Sequence, residues 1–115
     1  MDEELMHFRR IFVVEPTHDI SILSRNCGQV VFLSKGDEKI ETIAETMMSK
    51  LSDFNPDFNP DEDALVPMGR VSSCAIAGVL LSNRFRKDSR VVIMIGIYAG
   101  NKYIFIPLEV GDANI

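Results

Sequence analysis

Ile11-Phe-Val-Val-Glu15-Pro16-Thr17-His18-Asp19 is the stretch on which the fold turns. Its four β-branched or aromatic residues run without polar alternation, as in a strand covered on both faces. Pro16 ends the run, because proline removes a ladder donor. The same arrangement recurs twice. Gln29–Leu33 runs into Ser34, Lys35 and Gly36, and Ala64–Pro67 runs into Gly69, Arg70, Ser72 and Ser73. Three parallel strands would place all three polar clusters on one edge of one sheet, where open α/β sheets bind ligands.

The remaining elements extend this reading. Residues 17–28 are a connector with one helical turn, anchored by Ile20, Ile22 and Leu23 and stopped by Gly28. Ile40, Ile43, Ala44, Met47, Met48 and Leu51 form a stripe at helical period, so Asp37–Ser52 is a helix with Asp37 as its N-cap. A second helix runs from about Ser72 to Phe85, capped by Ser72 or Ser73. Its middle, Cys74–Leu81, is apolar on every side and is expected to be largely buried. Gly78 costs that helix about 1 kcal/mol, which a close helix approach would offset.

Arg90–Tyr98 is a long apolar strand. Gly100-Asn101 is a two-residue hairpin loop with glycine first, and Lys102–Val110 returns as an edge strand carrying Pro107. The expected fold is a three-layer α/β sandwich. Its five-stranded sheet is mostly parallel, in the order 2-1-3-4-5, with an antiparallel edge strand from the C-terminal hairpin. Residues 1–9 read as an appendage, 10–110 as one domain and 111–115 as a frayed tail.

The bulk composition narrows the function. An apolar fraction of 46% in 115 residues gives one domain a real core. No apolar run is long enough to cross a bilayer, and the acidic start Met1-Asp-Glu-Glu is unlike a secretory n-region. A cytoplasmic protein is expected. The net charge of −5 disfavours nucleic acid. The basic clusters, Arg9-Arg10 and Arg84, Arg86, Lys87 and Arg90, read better as solvated surface or a helix end. Cys27 and Cys74 make no zinc motif, and a disulfide between them is not expected in a reducing compartment. The acidic segment Asp53–Asp63 repeats Asp-Phe-Asn-Pro but lacks the glycine of a calcium loop, so it reads as an exposed turn with two docking phenylalanines. Neither a metal nor a cofactor is expected.

Four places carry chemistry. His18-Asp19 could contact a ligand or act as acid and base; the structural alternative has Asp19 capping the turn at Ile20. A metal at His18, or at His7, has no ligand spacing behind it. Ser34-Lys35-Gly36 opens a helix and could hold an anion, although Asp37 and Glu38 oppose one. Gly69-Arg70-Val71-Ser72-Ser73 looks most like an anion cradle, with a glycine for close approach, a guanidinium fork and two hydroxyls. The candidate ligand set is Thr17, His18, Asp19, Ser34, Lys35, Gly69, Arg70, Ser72 and Ser73. No catalytic residue is singled out, since G-x-S-x-G and P-loop patterns are absent.

A first strand Arg10–Val14, a polar turn Thr17-His18-Asp19, the segment Gly28–Leu33 and the small-residue helix Cys74-Ala-Ile-Ala-Gly78 share an outline with a known group. Over roughly residues 10–108 the chain resembles short α/β proteins encoded by bacteriophages and mobile elements. The acidic repeat and the acidic N-terminus depart from that pattern. The resemblance implies a viral or mobile-element origin and transfers no activity. The expected function is therefore that of a phage-type accessory protein acting by binding. It would form a homo-oligomer through residues 1–9 or the edge strand Lys102–Val110, and a host or viral protein is a further possible partner. The alternative is a protein or enzyme taking a nucleotide or other phosphate compound at the carboxyl edge of the sheet.

Overall fold

A computed structural model describes residues 6–17, 20–52, 58–85 and 91–110. His18, Asp19, the first Asp-Phe-Asn-Pro copy, most of the Arg84–Arg90 cluster and the tail lie outside the described residues. Five strands, β1 (Phe8–Val13), β2 (Cys27–Phe32), β3 (Asp63–Val66), β4 (Val91–Tyr98) and β5 (Tyr103–Val110), form one sheet in the order β2-β1-β3-β4-β5. All neighbours are parallel except β4 and β5, which pair antiparallel. The α/β fold, the mostly parallel sheet and the antiparallel edge strand are as the apolar runs indicate. The first strand begins at Phe8, so Phe8 and Arg9 belong to the sheet and not to the appendage.

Helices α1 (Ile40–Ser52) and α2 (Val71–Arg84) pack on one face. Ile43, Met47, Leu51, Ala77 and Leu81 share a core there with Phe12, Val14, Val31, Leu33, Leu65 and Ile93. Ile11 and Val13 face the other way, joining Leu23, Ala64, Val66 and Tyr103. The non-alternating run of β1 is therefore buried on both sides. Among the described residues the layer over this second face is thin: one 3-10 turn, Ser21–Arg25, closed by the Asn26 N–H on the Leu23 carbonyl. Gly28 lies inside β2 and so is not the stop of this connector.

Among the described residues no α-helix covers the second face, and aromatic side chains pack there. A Cβ at Gly96 would lie 2.6 Å from the Phe105 ring and 2.9 Å from Val66, so the bare glycine lets Phe105 lie across the sheet. Phe105 then meets Phe8 at a ring-centroid distance of 4.8 Å. Cys27 and Cys74 pack against opposite cores and are free thiols.

Three local expectations change. Helix α1 starts at Ile40 and not at Asp37, because residues 35–38 close on themselves through the Glu38 carboxylate. Helix α2 is buried along one side only. Val71, Ala75, Gly78 and Val79 are exposed, and nothing lies within 4 Å of a Cβ at Gly78, so no close approach offsets that glycine. Asp63 is no exposed loop acid. It is fully buried at the start of β3, where the forks of Arg9 and Arg10 each bond it at 2.9 and 3.3 Å and the Asn59 N–H adds a bond at 2.8 Å. Burial pushes the Asp63 pKa up, and the Arg10, Arg9 and Asn59 bonds outweigh that and hold it below the usual range. The small basic cluster Arg9-Arg10 is thus engaged by an internal acid. In the second Asp-Phe-Asn-Pro copy, Phe58 docks between Phe12 and Phe85, with centroids at 5.2 and 6.3 Å.

Candidate functional site

The chain leaves β1 toward β2 on one side and leaves β3 toward β4 on the other. The carboxyl ends of β1 and β3 therefore flank the topological switch point, where α/β sheets open a crevice. Backbone pairing continues past both strands there: the Val14 N–H donates to the Val66 carbonyl and the Glu15 N–H to the Met68 carbonyl. Glu15 and the segment Met68–Arg70 are held side by side as a result.

The carboxylate of Glu15, only 1% exposed, fills this crevice. The Arg70 N–H donates to its Oε1 at 2.8 Å, the Arg70 Nε reaches both oxygens at 3.0 and 3.2 Å, and Arg70 Nη2 donates to Oε2. The Ser73 hydroxyl adds a bond at 2.8 Å. The Ser34 hydroxyl lies 3.2 Å from Oε2 and 3.1 Å from the Val14 carbonyl, with one proton to serve both. Gly69 has φ +116°, and a Cβ there would sit 2.5 Å from the Glu15 Cβ. Its missing side chain is what lets the glutamate in.

The Arg70 guanidinium above all, then the Arg70 N–H and the two serines, lower the Glu15 pKa to about 2 against the opposing pull of burial. The Arg70 pKa is raised, first by its bond to Glu15 and further by the charges of Glu15, Glu38 and Asp37. Negative charge at the N-terminus of α2 also suits the helix dipole. Neither Ser72 nor Ser73 caps α2: Arg70 holds the N-cap position, and Ser73 is turned to Glu15. A carboxylate ionised at every pH above about 2 and surrounded by donors is a fixed anion, poorly matched to proton transfer near neutrality.

The second anion cradle is filled in the same way. The N–H groups of Lys35 and Gly36 donate to the Glu38 carboxylate at 3.0 and 3.1 Å. Burial raises the Glu38 pKa, and these bonds more than reverse it.

Of the nine candidate residues, the structure thus gathers Ser34, Gly69, Arg70 and Ser73 around an internal carboxylate. Thr17 is not among the Glu15 partners; it lines an adjoining cleft of about 630 Å³ at the same edge, together with Val66–Arg70 and with Gly96, Ile97, Tyr98 and Tyr103. Lys35 and Ser72 are exposed and join neither group. His18 and Asp19 are outside the described residues. Sequence reasoning missed Glu15, Tyr98 and Tyr103. The signal for Glu15 was a lone acid closing a doubly buried run, with a lone base at the matching end of the adjacent strand.

Comparison with protein-family models, curated proteins and solved structures finds no match for this chain.

Proposed function

We propose that the protein acts by binding, and that its first partner is a second copy of itself, joined through the C-terminal hairpin. One observation carries this reading. Ile97, Ile104, Ile106 and Leu108 are each between 45% and 53% exposed. The register pairs Ile97 with Ile104, Ile95 with Ile106 and Ile93 with Leu108, so all of them share the face on which Ile93 and Ile95 enter the helix-side core. The row is aliphatic, continuous in register and half-exposed.

The mode of contact is face to face. The Ala99 N–H donates to the Lys102 carbonyl, which makes that pair a hydrogen-bonded one. Counting outward by alternation, Met94 and Pro107 form a non-bonded pair, so the proline nitrogen points to the open edge. Pro107 thereby blunts edge-to-edge pairing at mid-strand. A two-fold pair of rows would cover the exposed half of eight aliphatic side chains, worth about 1 kcal/mol each. That sum is comparable with the entropy cost of association, so the dimer is expected to depend on concentration. The uncharged row is also where two chains of net charge −5 can approach. The resemblance supplies the setting, an accessory protein of a phage or mobile element working in the host cytoplasm.

Sedimentation velocity over a concentration series tests the reading. The wild type should move from 12.9 kDa toward twice that mass, and Ile106→Asp should stay monomeric with an unchanged circular dichroism spectrum. A wild type that remains monomeric at every concentration overturns self-association and leaves the row to a different protein.

A further inference from the structure

We propose that the carboxyl-edge cleft binds a planar, uncharged heteroaromatic ring and takes it without a phosphate. This goes beyond the self-association above and stands on separate observations. The cleft lies beside the switch point, and its volume of about 630 Å³ suits a small organic ligand.

Its hairpin wall is aromatic. Tyr103 is buried and packs against Tyr98 at a centroid distance of 5.3 Å and an interplanar angle of 59°, while Tyr98 is left 53% exposed. A half-exposed aromatic ring held at an angle by a buried neighbour offers surface for stacking. The loop wall carries Arg70, whose guanidinium is locked by its fork on Glu15. A guanidinium held in one plane is also a stacking surface. Thr17 at the rim adds a hydroxyl able to donate and accept.

Charge sets the ligand class. The donors that would grip a phosphate, the Arg70 fork, the Arg70 N–H and the Ser73 hydroxyl, are engaged by Glu15. The backbone N–H groups of Lys35 and Gly36 are engaged by Glu38. Glu15, Glu38 and Asp37 all act on Arg70, so an arriving phosphate would face carboxylates around a guanidinium that is already paired. A neutral ring loses nothing to that field.

The test is a titration of the full chain with adenosine, guanosine and uridine, then with the matching 5′-monophosphates and with inorganic phosphate. Binding is read from the amide shifts of Gly69 and Gly96 and from the tyrosine ring signals. The chain has two tyrosines and no tryptophan, and both tyrosines line this cleft, so the titration is run at one fixed protein concentration. At least one nucleoside should bind saturably, its monophosphate no more tightly, and inorganic phosphate should move nothing. Tyr98→Ala should weaken binding at least about fivefold, by the usual worth of one stacked ring, and Tyr98→Phe should retain it. No shift with any nucleoside, a monophosphate that binds tenfold tighter, or full affinity in Tyr98→Ala would each overturn the proposal.

Discussion

Replacing Glu15 by glutamine keeps the shape of the crevice and removes its charge. Folding lowers the Glu15 pKa from 4.5 to about 2. At about 1.4 kcal/mol per unit, that difference corresponds to about 3 kcal/mol of stability at neutral pH. Solvent reaches the Arg70 end of the pair, whose side chain is 37% exposed, so the expected loss in Glu15→Gln is about 2–3 kcal/mol. The sign of the pH effect follows from the direction of the shift. As pH falls, the unfolded chain takes up the proton first, so the contribution is complete above about pH 4.5 and is lost between there and about pH 2. Urea unfolding of both proteins should show the full gap at pH 7 and pH 5, and under half of it at about pH 3. Asp63 also has a lowered pKa, but it titrates in both proteins and cancels in the difference; Glu38 cancels only in part, because the Glu15 charge raises its pKa. A gap that keeps its size down to pH 3 would refute the electrostatic account and make the effect one of packing. No gap at pH 7 would refute the crevice geometry itself.

Two glycines separate backbone strain from steric exclusion. Both Gly36 and Gly69 have positive φ, but a Cβ at Gly36 meets nothing within 4 Å whereas one at Gly69 strikes Glu15. Gly36→Ala should cost about 1 kcal/mol in urea unfolding and Gly69→Ala at least twice that; equal losses would show that Glu15 does not depend on the bare backbone. Asp63→Asn removes the buried carboxylate that the forks of Arg9 and Arg10 share and should destabilise by about 3–5 kcal/mol. A change below 1 kcal/mol in calorimetry would show that the two arginines do not rely on Asp63.

The sheet was readable because its signal is redundant. Runs such as Ile11–Val14 are apolar on both faces, and three parallel crossovers of one hand leave few strand orders. The site was half readable. Gly69, Arg70 and Ser73 were identifiable as an anion cradle from their residue types and their place at a helix start. Which anion fills it depends on a residue 54 positions away from Gly69, and no local pattern encodes that pairing. The same limit applies to Asp63, which lies in an acidic segment and looks solvated until Arg9 and Arg10 of the neighbouring strand meet it. The cover of α2 was misjudged for a related reason. Apolar residues around a helix imply burial, but they do not say whether another layer exists to provide it.

The Glu15 carboxylate can be regarded as a ligand tethered to its own receptor. A free acetate or phosphate must compete with a group already delivered to the donors by β1, at an effective concentration far above that of any anion in a cell. The crevice therefore favours its own carboxylate over a free anion, and Glu15 and Met68–Arg70 stay held together wherever that carboxylate is ionised. An evolutionary route to an anion-responsive relative of this chain would be short: shortening the side chain at position 15 would vacate a receptor whose donors are already in place.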